Sequence, residues 1–218
     1  MIYKCLVFDH DDTVVNSTAT IHHPCFESYL ALRYPGRHCS LEDYFLKNFE
    51  PGFLEMCRGE YGMDDAALAD ETRFWQKYVA QHIPEVYPGI AEIMRRHKAA
   101  GGYICVVSHS FDNNIRRDYA ENSLPQPDAV YGWEQPPERR KPQPWPLEDI
   151  MRRFSLAPGD LLMIDDLKPG YDMAKTCGVD FAAAGWAYEV PRIEDFMRKN
   201  SDFYFKTVQE LADFLENK

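Results

Sequence analysis

Three stretches of the chain are apolar without interruption and stop abruptly at polar residues. Cys5-Leu6-Val7-Phe8 ends at Asp9, Tyr103-Ile104-Cys105-Val106-Val107 ends at Ser108, and Leu161-Leu162-Met163-Ile164 ends at Asp165-Asp166. Continuous rather than alternating hydrophobicity predicts strands covered on both faces, the condition of a parallel sheet between helical layers. Between the runs the apolar spacing turns helical. Residues 88–100 open with proline in the first turn, place Ile90, Ile93 and Met94 on one face and end at Gly101-Gly102. Residues 146–154 and 170–177 flank the third run in the same way, and Thr207-Val208-Gln209-Glu210 forms a capping box for a last amphipathic helix. The rhythm is βαβα, so the predicted class is α/β.

Residues 16–86 break that rhythm. They carry helical patterns at Leu41–Phe49 and 65–81 and no convincing apolar strand, which predicts a helical insert entering directly after the first strand. The expected division is therefore a core of residues 1–15 and 87–218 with an inserted cap of 16–86, lying over the ends of the strands. Residues 135–146 (QPPERRKPQPWP) are proline-dense and predicted to be loop.

Composition narrows the field. With 218 residues, 45% of them apolar and 27% charged, the chain is of ordinary globular type and long enough to bury a core. A net charge of −11 makes nucleic acid a poor partner, although local basic groups or a bound cation can still attract a small anion. The start MIYKCLVFDHDD lacks the apolar stretch of a signal peptide, and no run approaches the roughly 18 apolar residues of a membrane span. The six cysteines are scattered without a CxxC pair. Reduced thiols and a cytoplasmic location are the expectation.

Candidate chemistry lies where the strands end, because open α/β sheets bind ligands at the carboxyl ends of their strands. Asp9-His10-Asp11-Asp12-Thr13 sets two carboxylates two residues apart just after a strand. Asp9 is placed to attack phosphorus and Asp11 to handle protons. A carboxylate attacking a phosphoryl group meets charge repulsion, which a hard divalent cation relieves. Asp9, a carbonyl of the first turn and Asp166 offer oxygen ligands suited to Mg²⁺. Ser108 can donate to a phosphate oxygen and Lys141 can pair with its charge.

Taken together these segments resemble the haloacid dehalogenase superfamily of phosphotransferases and hydrolases. Asp9-His10-Asp11-Asp12-Thr13 corresponds to its first motif, residues 104–108 to the second, Lys141-Pro142 to the third and Ile164-Asp165-Asp166 to the fourth. The resemblance implies a Rossmann-like core with a helical cap, as in the phosphoglycolate phosphatase-like and β-phosphoglucomutase-like branch. It also implies an aspartyl-phosphate on Asp9, acid/base work by Asp11, phosphate binding by Ser108, by Lys141 and at His109, and Mg²⁺ held by Asp9, the Asp11 carbonyl and Asp166 with Asp165 supporting. Two positions depart from the family pattern. Asp12 stands where glycine is usual, which predicts an altered turn and added negative charge near the phosphate, and His109 stands where asparagine is common.

The activity expected first is hydrolysis of a small-molecule phosphomonoester. Three alternatives remain open at this level: phosphate transfer to a sugar, cleavage of a phosphonate through a Schiff base on Lys47 or Lys77, and a non-catalytic phosphoanion binder. Substrate choice is expected in the cap, where Arg33, Arg37, Arg58, His22 and His23 could meet a second anionic group. Phe45, Phe49, Phe53 and Trp75 could line an apolar surface there. Oligomeric state is not legible.

Overall fold

The three apolar runs form the middle of a sheet, and three further strands widen it. The computed structural model describes residues 2–217. The chain begins with β1 (Cys5–Phe8) and β2 (Val15–Asn16), followed by helices α1 (His23–Arg33), α2 (Leu41–Phe49), α3 (Phe53–Tyr61) and α4 (Asp65–Val79). It continues through β3 (Glu85–Val86), α5 (Ile90–Ala99), β4 (Tyr103–Val107), α6 (Asp112–Glu121), β5 (Ala129–Tyr131) and α7 (Trp145–Phe154). The last elements are β6 (Leu161–Asp165), α8 (Lys168–Cys177), β7 (Asp180–Ala184), α9 (Pro191–Asn200), β8 (Phe203–Phe205) and α10 (Val208–Glu216).

Six strands pair in parallel in the order β5-β4-β1-β6-β7-β8. The chain first builds outward from β1 through β4 and β5, then crosses to the other side for β6, β7 and β8. A reversal of this kind opens a crevice at the carboxyl ends of the central strands. Phe8 is level with both Val106 and Ile164, so Asp9 emerges beside Asp165.

The strands are apolar throughout because each face packs a separate core. Leu6, Phe8, Ile104, Val106, Leu162 and Ile164 point to one layer, while Cys5, Val7, Cys105, Val107, Leu161 and Met163 point to the other. The outer strands escaped the sequence pattern for physical reasons. β5 and β8 are three residues long, and β7 (DFAAA) is mostly alanine, a residue with little preference for strands. At the carboxyl end of the chain, the Thr207 hydroxyl accepts from the Glu210 amide at 3.2 Å, and Glu210 accepts from the Thr207 amide at 3.2 Å. This is the capping box its spacing predicts.

Helices α1 to α4 lie between β2 and β3, which pair antiparallel through Val15 with Val86 and Asn16 with Glu85. These helices share a core of their own, including Phe26, Tyr29, Leu30, Tyr44, Met56 and Leu68. They also dock on the sheet layer. Phe45 lies 4.0 Å from Tyr188 between ring centres and Phe49 5.2 Å from Phe196, while Trp75 lies 5.6 Å from Phe111. On the same side Arg117 donates to the carbonyls of Val79 and His82 at 2.9 and 3.2 Å. Among the described residues no helix is long and apolar enough to cross a membrane.

One buried acid lies within the four-helix layer. Glu71 of α4 is 5% exposed, with Tyr44, Cys25 and Cys57 in its surroundings. Burial pushes its carboxyl up to about 7, against the opposing pull of His22. An unfolded glutamate titrates near 4.3, so between about pH 4.3 and 7 the folded state holds a proton that the unfolded state has lost. Stability therefore falls as pH rises through this window and stays low above it. Glu71→Gln is expected to raise unfolding stability by about 3 kcal/mol at pH 8 and to leave it nearly unchanged at pH 4. Urea unfolding at the two pH values checks this, and equal effects at both would refute it.

Candidate active site

The end of the central strands holds three carboxylates around one ammonium. Asp9 follows β1, and its amide donates to the Ile164 carbonyl at 2.8 Å. Asp165 closes β6 and Asp166 follows it. The three acids are 4%, 0% and 3% exposed, and each brings an oxygen within 4.8 Å of the others. Lys141 Nζ pairs with Asp9 Oδ1 at 2.7 Å and with Asp165 Oδ2 at 2.8 Å. Burial pushes the Lys141 ammonium down, but Asp165 and Asp9 outweigh it and hold the group above its ordinary value.

Lys141 reaches this position because its neighbours are held outward. The Arg140 guanidinium stacks over Trp133 at 4.1 Å and that of Arg139 over Trp145 at 4.8 Å. In the proline-dense turn before α7 this leaves Lys141 as the inward side chain of a run of three cations. His109 takes part by donating from Nε2 to the Lys141 carbonyl at 2.9 Å. That contact ties the end of β4 to the lysine turn and commits that ring nitrogen to backbone.

Asp166 is held on both of its oxygens. Thr13 donates its hydroxyl to Oδ1 at 3.3 Å and Tyr188 donates to Oδ2 at 3.0 Å. Burial and the neighbouring acids push the Asp166 carboxyl well up. The Tyr188 ring is the one packed on Phe45 of α2, so contact with the four-helix layer reaches this acid directly. Asp165 is confined from below by Gly170, where any Cβ would strike its carboxylate, and its Oδ1 accepts from the Leu167 amide at 2.8 Å.

Asp11 faces the opposite wall of the cleft. Ser17 and His22 meet its Oδ1 at 2.7 and 2.8 Å, and Ser110 donates to Oδ2 at 2.6 Å. Burial pushes the carboxyl up, but the His22 imidazole and the hydroxyl donors hold it below the usual carboxylate range. The Trp75 indole donates to His22 Nδ1 at 3.0 Å. An indole N–H only donates, so Nδ1 accepts and the imidazole proton sits on Nε2, pointing at Asp11. Ser108, 3% exposed at the end of β4, accepts from the Ser110 amide at 3.1 Å, which leaves its O–H available to a ligand.

Asp12 takes on a structural task beside the expected one. Its backbone adopts φ +58°, the left-handed region that favours glycine. Its side chain accepts from the amides of Ser17 and Thr18 at 3.3 and 3.2 Å. The carboxylate thus caps the π-helical turn Thr18–His22 that leads into α1. It serves the entry to the four-helix layer, and its charge also pushes the Asp166 carboxyl up.

Most of the expected substrate-selecting residues lie elsewhere. Arg33 pairs with Asp70 at 2.9 Å, Arg58 with Asp65 at 2.6 Å, and Arg37, in the connection between α1 and α2, bonds the Glu60 carbonyl, all three exposed. His23 reaches the Cys39 carbonyl at 2.8 Å. Phe45 and Phe49 dock on the sheet layer and Phe53 packs against Phe26 and Tyr44. Lys47 pairs with Glu60 and Lys77 is exposed, so neither is placed to form a Schiff base. Only His22 and Trp75 reach the cleft. Sequence reasoning gave no role to Tyr188, Thr13, Ser17 or Ser110, and Gly170 entered it only as the start of a helix.

Three buried carboxylates facing one ammonium leave negative charge uncompensated. Such a set either holds protons or takes a cation. All the free donors are hard oxygens, which suit Mg²⁺ rather than a soft metal. The residues therefore fit a divalent cation held by Asp9 and Asp166 near the backbone of the first turn.

Residues 6–184 match the family described as Haloacid dehalogenase-like hydrolase, and the chain belongs to that family. Among curated proteins none matches it. Solved structures share its fold throughout. A haloacid dehalogenase-like hydrolase candidate from Bacteroides fragilis is 22% identical with a TM-score of 0.79, over 96% of this chain and 99% of that one. A phosphoglycolate phosphatase candidate from Lactobacillus plantarum is 20% identical with a TM-score of 0.75, over 98% and 99%. CbbY from Rhodobacter sphaeroides, in complex with xylulose-(1,5)bisphosphate, is 19% identical with a TM-score of 0.73, over 97% and 96%.

Proposed function

We propose that the protein is a Mg²⁺-dependent phosphatase that hydrolyses a small phosphomonoester through an aspartyl-phosphate on Asp9. The observation that carries this reading is the buried cluster of Asp9, Asp165 and Asp166 around Lys141, with Asp11 on the facing wall. In this reading residues 1–15 and 87–218 form the catalytic core, and 16–86 form a cap that closes over it.

A Mg²⁺ ion bound by Asp9 and Asp166 supplies charge neutralisation between the nucleophile and the incoming phosphate. The chain's own groups do the rest. Lys141 holds Asp9 in place and faces the phosphate with its charge, and Ser108 donates its free O–H to a phosphate oxygen. Arrival of the phosphate raises the proton affinity of Asp11, which takes a proton from solvent and so carries the one needed by the departing alcohol. Asp9 bonds to phosphorus as the P–O bond to the alcohol breaks, and Asp11 gives its proton to that oxygen. Water next attacks the aspartyl-phosphate, Asp11 takes up a proton, and Asp9 is regenerated. The docked helices exclude bulk water during both steps.

Release of inorganic phosphate from small phosphomonoesters tests this directly. Turnover is expected with Mg²⁺, is expected to stop on chelation, and is expected to return when Mg²⁺ is restored. Turnover that survives chelation would refute the metal requirement, and no release from any ester would refute the phosphatase reading.

A further inference from the structure

A carboxylate serves a cation well only when it is held in one orientation, and the groups that hold it bear strongly on affinity. Asp166 is held by two hydroxyls of unequal reach. That of Thr13 stands 3.3 Å from Oδ1, longer than an ordinary O–H···O bond, whereas that of Tyr188 stands 3.0 Å from Oδ2. The Asp166 carbonyl accepts from the same Tyr188 hydroxyl at 3.0 Å. One phenol proton is thus shared between the main-chain and side-chain oxygens of a single residue, which pins the carboxylate to its own backbone. Each carboxylate oxygen offers two lone pairs, so both bonds leave Asp166 with acceptor capacity for a cation.

Tyr188 stands in the connection between β7 and α9, and its ring is held from two directions. It packs against the core layer of Val7 and Met163, and Phe45 of α2 lies against it with ring centres 4.0 Å and planes 31° apart. The helix that carries Phe45 is seated by contacts that do not involve Tyr188. Phe49 lies 5.2 Å from Phe196 between ring centres, and Glu50, just past α2, faces Lys168 at 3.6 Å and Arg192 at 3.7 Å. Phe45 is therefore a fixed backstop for the tyrosine ring, supplied by the helical layer to a side chain of the sheet layer.

We propose that Tyr188 is a positioning residue for the divalent cation, orienting Asp166 toward it, and that Phe45 holds the Tyr188 ring in place for that task. The inference rests on the Mg²⁺-dependent reading above. It gives the helical layer a part in metal affinity besides that of covering the cleft.

Calorimetric titration of the full chain with Mg²⁺ alone tests it. Tyr188→Phe keeps the ring and its contact with Phe45 and removes only the hydroxyl. Its Mg²⁺ dissociation constant is expected to rise about tenfold, the scale of losing a group that supports a metal ligand. Phe45→Leu keeps the hydroxyl but loosens the ring. A rise of about threefold is expected there, the effect of a competent orientation populated about one third of the time. Phe49→Leu removes a docking contact of the same helix that does not touch Tyr188, and should leave the constant as in the native chain. The Mg²⁺ concentration for half-maximal phosphate release should rise by the same factors, and saturating Mg²⁺ should restore most of the turnover lost, a split that general damage to the fold would not give. Unchanged or tighter Mg²⁺ binding by Tyr188→Phe overturns the proposal. Equal losses in Phe45→Leu and Phe49→Leu overturn the part assigned to Phe45. Where Tyr188→Phe does not fold, the difference between the two phenylalanine variants decides, and its absence overturns the proposal. A native chain that binds no Mg²⁺ removes the metal reading itself along with this inference.

Discussion

Asp9→Asn is expected to lower phosphate release by at least about 10⁴-fold, the scale of removing a covalent nucleophile. The amide keeps the shape of the side chain but cannot form the acyl-phosphate. The change should leave the fold intact. The Asp9 amide still donates to Ile164, and Lys141 keeps Asp165 as a partner at 2.8 Å. Removing one of three crowded carboxylates relieves repulsion in the absence of metal, so thermal stability without Mg²⁺ should be equal or higher, whereas Mg²⁺ affinity should fall. Phosphate release, thermal unfolding and calorimetric titration with Mg²⁺ read these three effects separately. A variant retaining more than about one hundredth of the activity would show that another group attacks phosphorus.

Lys141→Met is expected to damage stability and activity together. The methionine fills most of the space of the lysine stem but leaves Asp9 and Asp165 facing each other without the ammonium that sits 2.7 and 2.8 Å from them. Breaking a buried ion pair by removing one partner costs on the order of 3–5 kcal/mol, because the stranded charges remain desolvated. Urea unfolding without metal should show a loss of that size. Saturating Mg²⁺ should return part of it, since the cation binds the folded state alone. Activity should fall by about 10³-fold even where the variant is folded, because the phosphate loses a charge partner aimed at it. A fully stable variant would mean that Asp9 and Asp165 are not both charged in the folded protein.

These two residues differ in how far the chain alone revealed them. Asp9 was legible because a strand of four apolar residues that stops at a carboxylate says where that carboxylate will stand. Asp165 and Asp166 were legible for the same reason. Lys141 lies in a proline-dense loop directly after two arginines, and local pattern would leave it solvated. Its inward position depends on Trp133 and Trp145 drawing the neighbouring guanidinium groups away, a relation between segments that no spacing rule contains. Its place in the resemblance to a known motif marked it, rather than any property of the loop.

The helical insert shows the same boundary from the other side. Its amphipathic helices were apparent, but their apolar residues were not sorted between helix core, docking face and cleft. Phe45 and Phe49 look alike to Phe53 in the chain. In the fold the first two press on Tyr188 and Phe196, while the third packs within the helices. Trp75 and His22, 53 positions apart, meet only because α4 folds back over the turn before α1. Their contact then decides which nitrogen of His22 faces Asp11.

The chain by itself determined the parallel strand ends, the carboxylates they carry and the point at which the helical layer is inserted. These are local consequences of hydrophobic periodicity and of residues adjacent to it. Tertiary structure alone decided which cations remain free, which acid each hydroxyl holds, and how the helical layer touches both Asp11 and Asp166. Those contacts join residues far apart in sequence, and their energies depend on desolvation and distance, which exist only once the segments have packed.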